Sequence, residues 1–278
     1  MALMLSVVGC YTITSLSDKY AVAKLKLNGS ELTFLMAAAT SFFMLFYLPF
    51  DSRLFVPSWQ SFAAIALMAV SKMLEFQLAA VILREMSAFE LKAWLGITLF
   101  ISYATDLASK TAVFGSGTFV KFGFILVTTA GLSLIAKSGG KKINYKKILL
   151  PLIFYLLAKY GYGLVVNLTQ SRISPSLSLF FALVLLTAAL APMARPIRLI
   201  KEKPKGTLFV TLTKIPNVAG LVCENLVAAR SMANYSFIQP MILVALFFIQ
   251  LIRREERSGR SIAGGIVCIA GIVGFQFF

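Results

Sequence analysis

The residues with the clearest capacity for chemistry are charged side chains inside long apolar runs. Lys72 and Glu75 lie in the middle of one run, Lys159 lies in a second, and Lys214 and Glu224 lie in a third. A charge at the centre of a membrane-spanning helix costs about 2.5–3.5 kcal/mol by insertion scales. Charges kept at that cost mark candidate sites for binding an ion or a charged solute.

Helical spacing places several of these residues on shared faces. Lys72 and Glu75 are three residues apart and therefore lie on one helix face. Lys214 and Asn217 share a face in the same way, with Glu224 on the flank. We predict that Lys72 and Lys214 approach a common cavity, where they bind a carboxylate or a phosphate. In the alternative interpretation, Lys72 and Glu75 form a pair within one helix that only balances charge.

Tyrosine side chains accompany these charges. Lys159 is followed by Tyr160 and Tyr162 about halfway along its run, and Tyr11 lies in the first run. Aromatic rings with hydroxyl groups suit a pocket for an amphipathic organic solute. They equally suit the aromatic belt at the membrane–water interface, so both interpretations stay open.

Trp94 and Gln239 complete the set of candidate site residues. Trp94 lies about a turn and a half into its apolar run, where a pocket and an interfacial belt explain it equally well. Gln239 precedes Pro240, and a proline inside a helix frees backbone carbonyl groups that can meet a solute or an ion. A packing kink without a binding role is the alternative.

The composition excludes several classes of protein. Of the 278 residues, 59% are hydrophobic and 14% are charged, whereas soluble domains carry roughly 25% charged residues. This excludes a soluble enzyme, a disordered chain and a nucleic-acid-binding domain. The sequence has no histidine and no Gly-rich phosphate loop, so we expect neither enzymatic activity nor a metal or other cofactor.

The apolar runs predict an all-α membrane protein with ten transmembrane helices. A spanning helix needs about 20 residues, and in lipid the backbone must satisfy its own hydrogen bonds. The predicted spans are 1–18, 31–50, 58–83, 89–106, 115–136, 148–170, 174–194, 207–229, 232–252 and 261–278.

These spans predict two inverted five-helix repeats, residues 1–137 and 148–278, joined by a basic linker at 138–147. An odd number of spans in each half inverts the second half relative to the first, as in many secondary transporters. The two halves also share weak sequence similarity. Ser71-Lys72-Met73 in span 3 resembles Thr213-Lys214-Ile215 in span 8, and a polar residue, Glu75 or Asn217, follows each lysine by three positions.

Basic residues in the loops predict the orientation. The loops on the side that holds residue 1 carry five Lys and Arg residues, and the loops on the opposite side carry nineteen, four of them in a basic loop between Pro192 and Pro204. The positive-inside rule therefore places the nineteen in the cytoplasm and both ends of the chain outside. The same residues account for the net charge of +16 and are expected to touch anionic lipid headgroups.

The last two spans carry a pattern of proline, glutamate and glycine. Pro240 lies in span 9, Glu255 and Glu256 close that helix, and Gly264 and Gly271 follow in the final span. This pattern resembles the end of an EamA-type module of the drug/metabolite transporter superfamily. The resemblance implies a ten-helix transporter, and in the aromatic-solute exporters of that superfamily aromatic side chains line the central cavity. The first half departs from the pattern, because Trp94 stands where a proline is expected and Asp106 and Lys110 replace the acidic loop.

We therefore expect a secondary transporter in a bacterial inner membrane. Its solute would be a small organic metabolite with a carboxylate or phosphate, such as an amino acid, moved by alternating access. A flippase for a lipid-linked headgroup is the main alternative, and an intramembrane enzyme or a scaffold is less favoured. The expected partners are the solute and membrane lipids, without nucleic acid. Small residues at Gly264, Cys268 and Gly271 favour packing within a monomer over a dimer contact, so we expect a monomer or a homodimer.

Overall fold

The fold consists of long helices joined by short connections. The structure, a computed structural model, describes residues 2–25, 27, 29–51, 54–86, 91, 94–109, 111–136, 145–252 and 259–278. Within them the α-helices are α1 (Ala2–Leu25), α2 (Gly29–Tyr47), α3 (Trp59–Glu85), α4 (Gly96–Ala108), α5 (Ser116–Ala136), α6 (Tyr145–Thr169), α7 (Pro175–Ala194), α8 (Pro196–Glu202), α9 (Pro204–Arg230), α10 (Met232–Ile252) and α11 (Gly259–Phe277). The described residues contain no strand beyond one isolated bridge between Phe55 and Ile173.

Eight of the described helices are long and apolar enough to cross a membrane. They correspond to eight of the ten predicted spans, so the prediction of an all-α, multi-pass membrane protein is confirmed. The other two predicted spans correspond to shorter apolar segments, Ala2–Ser17 within α1 and the 13-residue helix α4. That these two also cross the membrane stays a prediction.

Several predicted boundaries differ from those of the structure; helix α1, for example, continues to Leu25, seven residues beyond the predicted end of span 1. Helix α6 begins at Tyr145, three residues before the predicted span, while residues 138–144 of the predicted linker lie outside the described residues, as do Glu255 and Glu256. The predicted basic loop between Pro192 and Pro204 contains the short helix α8. Arg195 separates α7 from α8 in a left-handed conformation with φ 47° and ψ 64°.

Each of the first five helices packs most closely on a helix from the second half of the chain. These pairs are α1 with α9, α2 with α7, α3 with α6, α4 with α10, and α5 with α11. Two further contacts join α2 to α9 and α3 to α7. The two halves therefore interdigitate, and residues distant in sequence meet along the line between them.

Helices α5 and α11 come closest together, because glycines lie at their contact. A Cβ atom added to Gly131 would lie 2.7 Å from the Cα atom of Cys268, and one added to Gly264 would lie 2.9 Å from the backbone nitrogen of Ile135. Real Cβ atoms do not approach other atoms this closely, so only glycine fits. The small residues predicted to pack within the monomer lie against α5 of the same chain.

Connections from both halves meet at one end of the bundle. The backbone N–H of Val56 donates to the carbonyl of Arg172 at 2.7 Å, and that of Ser174 donates to the carbonyl of Leu54 at 2.8 Å. Ser174 also caps the first turn of α7 and donates its hydroxyl to Asp51. These contacts hold the connection before α3 against the start of α7.

A buried carboxylate, that of Asp106, joins α4 to the start of α10 through hydrogen bonds. Asp106, near the end of α4, accepts hydrogen bonds from the Ser231 hydroxyl at 2.7 Å and from the backbone N–H groups of Met232 and Ala233 at 2.8 and 2.9 Å. The first N–H groups of a helix have no partner within it, and their positive end favours an anion. Asp106 therefore caps α10 from a neighbouring helix.

Candidate functional site

A cavity of about 150 Å³ lies between α1, α2, α3, α6, α7, α9 and α10, so both halves of the chain form its wall. Among the described residues, its charged lining consists of Lys72, Glu75, Lys159 and Glu224. Uncharged polar groups also line it, such as those of Tyr11, Thr14, Thr40, Asn217 and Gln239. Leu179, Leu183 and Ile242 are among its apolar lining residues.

The four charged side chains form one continuous network. Lys72 Nζ lies 3.0 Å from Glu75 Oε2, and Lys159 Nζ lies 3.1 Å from Glu75 Oε1. Lys159 Nζ also lies 3.3 Å from Glu224 Oε1. Lys159 on α6 therefore links a carboxylate on α3 to a carboxylate on α9. The lysines and glutamates are equal in number, so the network is neutral when all four are charged.

Aromatic side chains complete the partners of this network. The hydroxyl of Tyr11 donates a hydrogen bond to Glu224 Oε2. Lys72 Nζ lies 4.2 Å from the centre of the Tyr162 ring, within the range of a cation–π interaction. Lys159 Nζ lies 5.7 Å from the Tyr235 ring. Each lysine therefore has a carboxylate on one side and the face of an aromatic ring on another.

The network is nearly inaccessible to solvent, which makes its pairing important. The exposed fractions of the side chains are 1% for Glu224, 5% for Lys72, 7% for Lys159 and 14% for Glu75. A buried charge without a partner is strongly destabilising, whereas a buried pair is close to neutral for stability. Four charges are therefore unnecessary for folding alone, and they are tolerated because they neutralise one another.

Further hydrogen bonds hold the aromatic rings in position. The hydroxyl of Tyr162 donates to Asn225 Oδ1 at 2.7 Å, and Asn225 Nδ2 donates to the carbonyl of Pro175 at 3.3 Å. The hydroxyl of Tyr235 donates to the backbone carbonyl of Lys159 at 3.1 Å. Gly163 makes room for this ring, since a Cβ atom there would lie 2.7 Å from Tyr235 Cδ1.

No model of a known protein family matches the sequence, and a comparison with curated proteins found no significant match. Among the described residues, no group of three His, Cys, Asp or Glu side chains is arranged to hold a metal ion. What the arrangement offers is two ammonium groups and two carboxylates around a small cavity.

The structure brings six of the ten predicted site residues together at this cavity. They are Lys72, Glu75, Lys159, Asn217, Glu224 and Gln239. Asn217 Nδ2 donates to Thr40 Oγ1 at 3.3 Å, which joins α9 to α2 beside the cavity.

The other four predicted residues are not among the residues described as lining the cavity. Lys214 is fully buried on α9, about one turn from Asn217. The Tyr162 ring contacts Lys72, and the hydroxyl of Tyr160 is hydrogen-bonded to Thr105 Oγ1 at 2.6 Å. Trp94 packs against Tyr145, with ring centres 6.1 Å apart, in a separate hydrophobic cluster.

Sequence reasoning missed the pairing of Lys159 with both glutamates and the part played by Tyr235. The signal available was the near balance of lysines and glutamates inside apolar runs. Because unpaired charges are rare in membranes, Lys159 needed an acidic partner on another helix. The Tyr235 ring gave no such signal, since it stands in an apolar helix without a charged neighbour in sequence.

Proposed function

We propose that this chain is a secondary transporter for a small organic metabolite that bears a carboxylate or a phosphate, such as an amino acid. The observation that carries the proposal is the buried charged network around a cavity between the two halves of the chain. A helical bundle that only anchors or supports a partner gains nothing from four charges at this depth. A carrier gains groups that can bind a polar solute inside the membrane.

The proposed architecture is ten transmembrane helices in two inverted repeats, residues 1–137 and 148–278. The helix contacts support it. Under exchange of the halves, the α1–α9 pair becomes the α6–α3 pair, and the α2–α9 contact becomes the α7–α3 contact. All four of these helix contacts are present in the structure. A two-fold axis in the membrane plane would relate the two contacts of each kind to each other.

Contacts between connections support the alternating direction of the helices. The connections around Leu54, Ser174 and Ser231 are linked to one another or to the end of α4, and all belong to the side predicted to be outside. On the other side, Lys203 Nζ lies 2.7 Å from Glu31 Oε2, which joins the connection before α9 to the first turn of α2. The same scheme places both at the cytoplasmic side. In this scheme α1 and α4 cross the membrane as well.

Alternating access would follow from rocking one half against the other around the cavity. Lys72 on α3 and Lys159 on α6 belong to different halves, and each is a cation that a carboxylate or phosphate can bind. When the halves move relative to each other, the distance between Lys72 and Lys159 would change. The solute could then contact both lysines in one state and only one of them in another. We also propose that the chain is a distant member of the drug/metabolite transporter superfamily in a bacterial inner membrane.

The test is a ligand screen on the purified protein followed by transport in proteoliposomes. A carboxylate or phosphate at 100 times its dissociation constant should stabilise the fold by about 2.7 kcal/mol, which is visible as a higher melting temperature. The same compound should accumulate in proteoliposomes driven by an ion gradient. The matched control is Glu31→Gln with Lys203→Gln, which removes an ion pair outside the cavity and should leave transport unchanged.

Two outcomes would overturn the proposal. One is a complete library of small carboxylates and phosphates in which no compound changes the melting temperature or is taken up. The other is movement of a fluorescent lipid headgroup between leaflets without any solute uptake, which would favour a flippase.

A further inference from the structure

We infer that the solute is a small zwitterion, whose carboxylate contacts Lys72 and whose ammonium group contacts Glu75. This rests on the proposed transport function and narrows its substrate class. The reason lies in the charge balance of the cavity and in the way its ion pairs are built.

Among the described residues that line the cavity, positive and negative charges are equal in number. They are two lysines and two glutamates, joined in a chain of three ion pairs from Lys72 through Glu75 and Lys159 to Glu224. An anion that takes a lysine leaves a buried carboxylate with less compensation, and breaking a buried pair in this way is strongly unfavourable. A zwitterion carries one positive and one negative charge. Its carboxylate can therefore pair with the lysine, and its ammonium group can pair with the glutamate, when the ion pair between them opens.

The Lys72–Glu75 pair is the one that can open for a solute. Both residues lie on α3, three positions apart, so a change of side-chain rotamer separates them without moving a helix. Glu75 is also the most exposed member of the network, at 14%. The Lys159–Glu224 pair joins α6 to α9, and Tyr11 holds the same carboxylate from α1, so opening it would loosen three helices.

The remaining contacts of the two residues fit this insertion. When Lys72 leaves Glu75 Oε2, Lys159 still contacts Glu75 Oε1 at 3.1 Å, so Glu75 keeps partial compensation before the ammonium group arrives. Lys72 Nζ has the Tyr162 ring as a second partner, 4.2 Å away in the closed pair. Each end of the zwitterion would therefore meet a side chain that has a second favourable contact.

The size of the cavity limits the solute. Sites for drug-sized ligands are typically about 300–1,000 Å³, and this cavity, at about 150 Å³, is smaller, so we expect a small solute. A small amino acid fits this expectation, and Leu179, Leu183 and Ile242 offer apolar lining for a short aliphatic side chain.

The test compares matched compounds that differ in one charge. L-Alanine is the zwitterion, isobutyrate replaces its ammonium group by a methyl group, and isopropylamine lacks its carboxylate; glycine, serine and leucine are tested in the same way. Binding is measured by thermal stabilisation of the purified protein and by uptake into proteoliposomes. At least one amino acid should bind about 30-fold or more tightly than both of its single-charge analogues, because each end replaces a partner in a buried pair.

One variant of the pair should change this selectivity, and a second should abolish binding. Glu75→Gln removes the ammonium partner and frees Lys72, so amino acid binding should fall by about 30-fold or more while the carboxylic acid analogue gains affinity. Lys72→Gln combined with Glu75→Gln keeps the network neutral, so this variant should fold and bind none of the compounds. Glu31→Gln with Lys203→Gln is the control and should bind as the unaltered protein does.

The outcomes separate this inference from the proposed function. Equal or tighter binding of the carboxylic acid analogues in the unaltered protein would overturn the zwitterion and leave transport of an anion standing. Stabilisation by glycerophosphoethanolamine but by no amino acid would also overturn it, in favour of a lipid headgroup. Failure of every compound here, together with failure of the broader library of carboxylates and phosphates, would overturn both.

Discussion

Replacement of Lys159 by glutamine removes the cation that two buried carboxylates share. Glu75 keeps Lys72 at 3.0 Å, so it remains paired. Glu224, which is 1% exposed, keeps the Tyr11 hydroxyl but loses the lysine at 3.3 Å. The destabilisation should therefore come mainly from Glu224.

The size of this effect follows from the cost of stranding a buried charge. Removal of one partner of a buried ion pair costs about 3–5 kcal/mol. At about 2–4 °C for each kcal/mol, the melting temperature should fall by roughly 6–20 °C. Lys72→Gln should cost less, because Glu75 then still contacts Lys159 at 3.1 Å.

A double-mutant comparison identifies which carboxylate carries the cost. Lys159→Gln with Glu224→Gln removes the stranded charge and should recover most of the lost stability. Lys159→Gln with Glu75→Gln should recover little, and it also takes the carboxylate from Lys72. Melting curves of the four proteins in one detergent, at one scan rate, measure the difference.

Two results would refute this reasoning. One is a melting temperature of Lys159→Gln within about 2 °C of the unaltered protein, which would mean that the network does not exclude water as its burial implies. The other is equal recovery by Glu75→Gln and Glu224→Gln, which would mean that the lysine serves both carboxylates equally.

Three further predictions concern other parts of the chain. Asp106→Asn should lower the free energy of unfolding by about 1–3 kcal/mol in a denaturant titration, because the charged cap of α10 is lost; an unchanged value would contradict that role. Gly131→Ala should cost about 1–3 kcal/mol through overpacking, whereas Gly123→Ala, with open space around its Cα, should be neutral or slightly stabilising in the same melting assay. In a cysteine-free background, Ser171→Cys should react with an impermeant thiol reagent on intact cells and Lys205→Cys should not; the reverse pattern would invert the proposed orientation.

Local features of the site could be predicted from the sequence. The spacing of Lys72 and Glu75 predicts that they share a helix face, and this alone accounts for their ion pair. The contacts of Lys159 could not be predicted, because its partners are 84 and 65 residues away. They depend on how α3, α6 and α9 rotate and tilt, which periodicity does not specify.

The position of Lys214 also could not be predicted from periodicity, although it lies only three residues from Asn217. A spacing of three residues predicts a shared face with Asn217, yet it also moves the side chain about 4.5 Å along the helix axis. In a cavity of about 150 Å³ that displacement is enough to leave Asn217 in the lining and Lys214 outside it.

The break between α7 and α8 illustrates a backbone feature without a sequence signal. Helices often end at a left-handed residue, which is usually glycine and sometimes asparagine. Here the left-handed residue is Arg195, which gives no such signal. The basic composition of the segment favours a loop, so the short helix α8 could not be predicted. By contrast, the long apolar runs specify the spanning helices directly, because in lipid the backbone has no alternative hydrogen-bond partners.

The close contact of α5 with α11 has a consequence for biosynthesis. Gly131 on α5 contacts Gly264 and Cys268 on α11, which follow it by about 140 positions. The ribosome therefore synthesises α11 long after α5. At about 5–20 residues per second, the α5 surface around Gly131 remains without its partner for roughly 7–28 s before α11 is synthesised. During that interval lipid or an insertion factor must occupy that surface, and any other small-residue helix that is already inserted can compete for it. Assembly errors in this protein should therefore concentrate at the last helix pair to form.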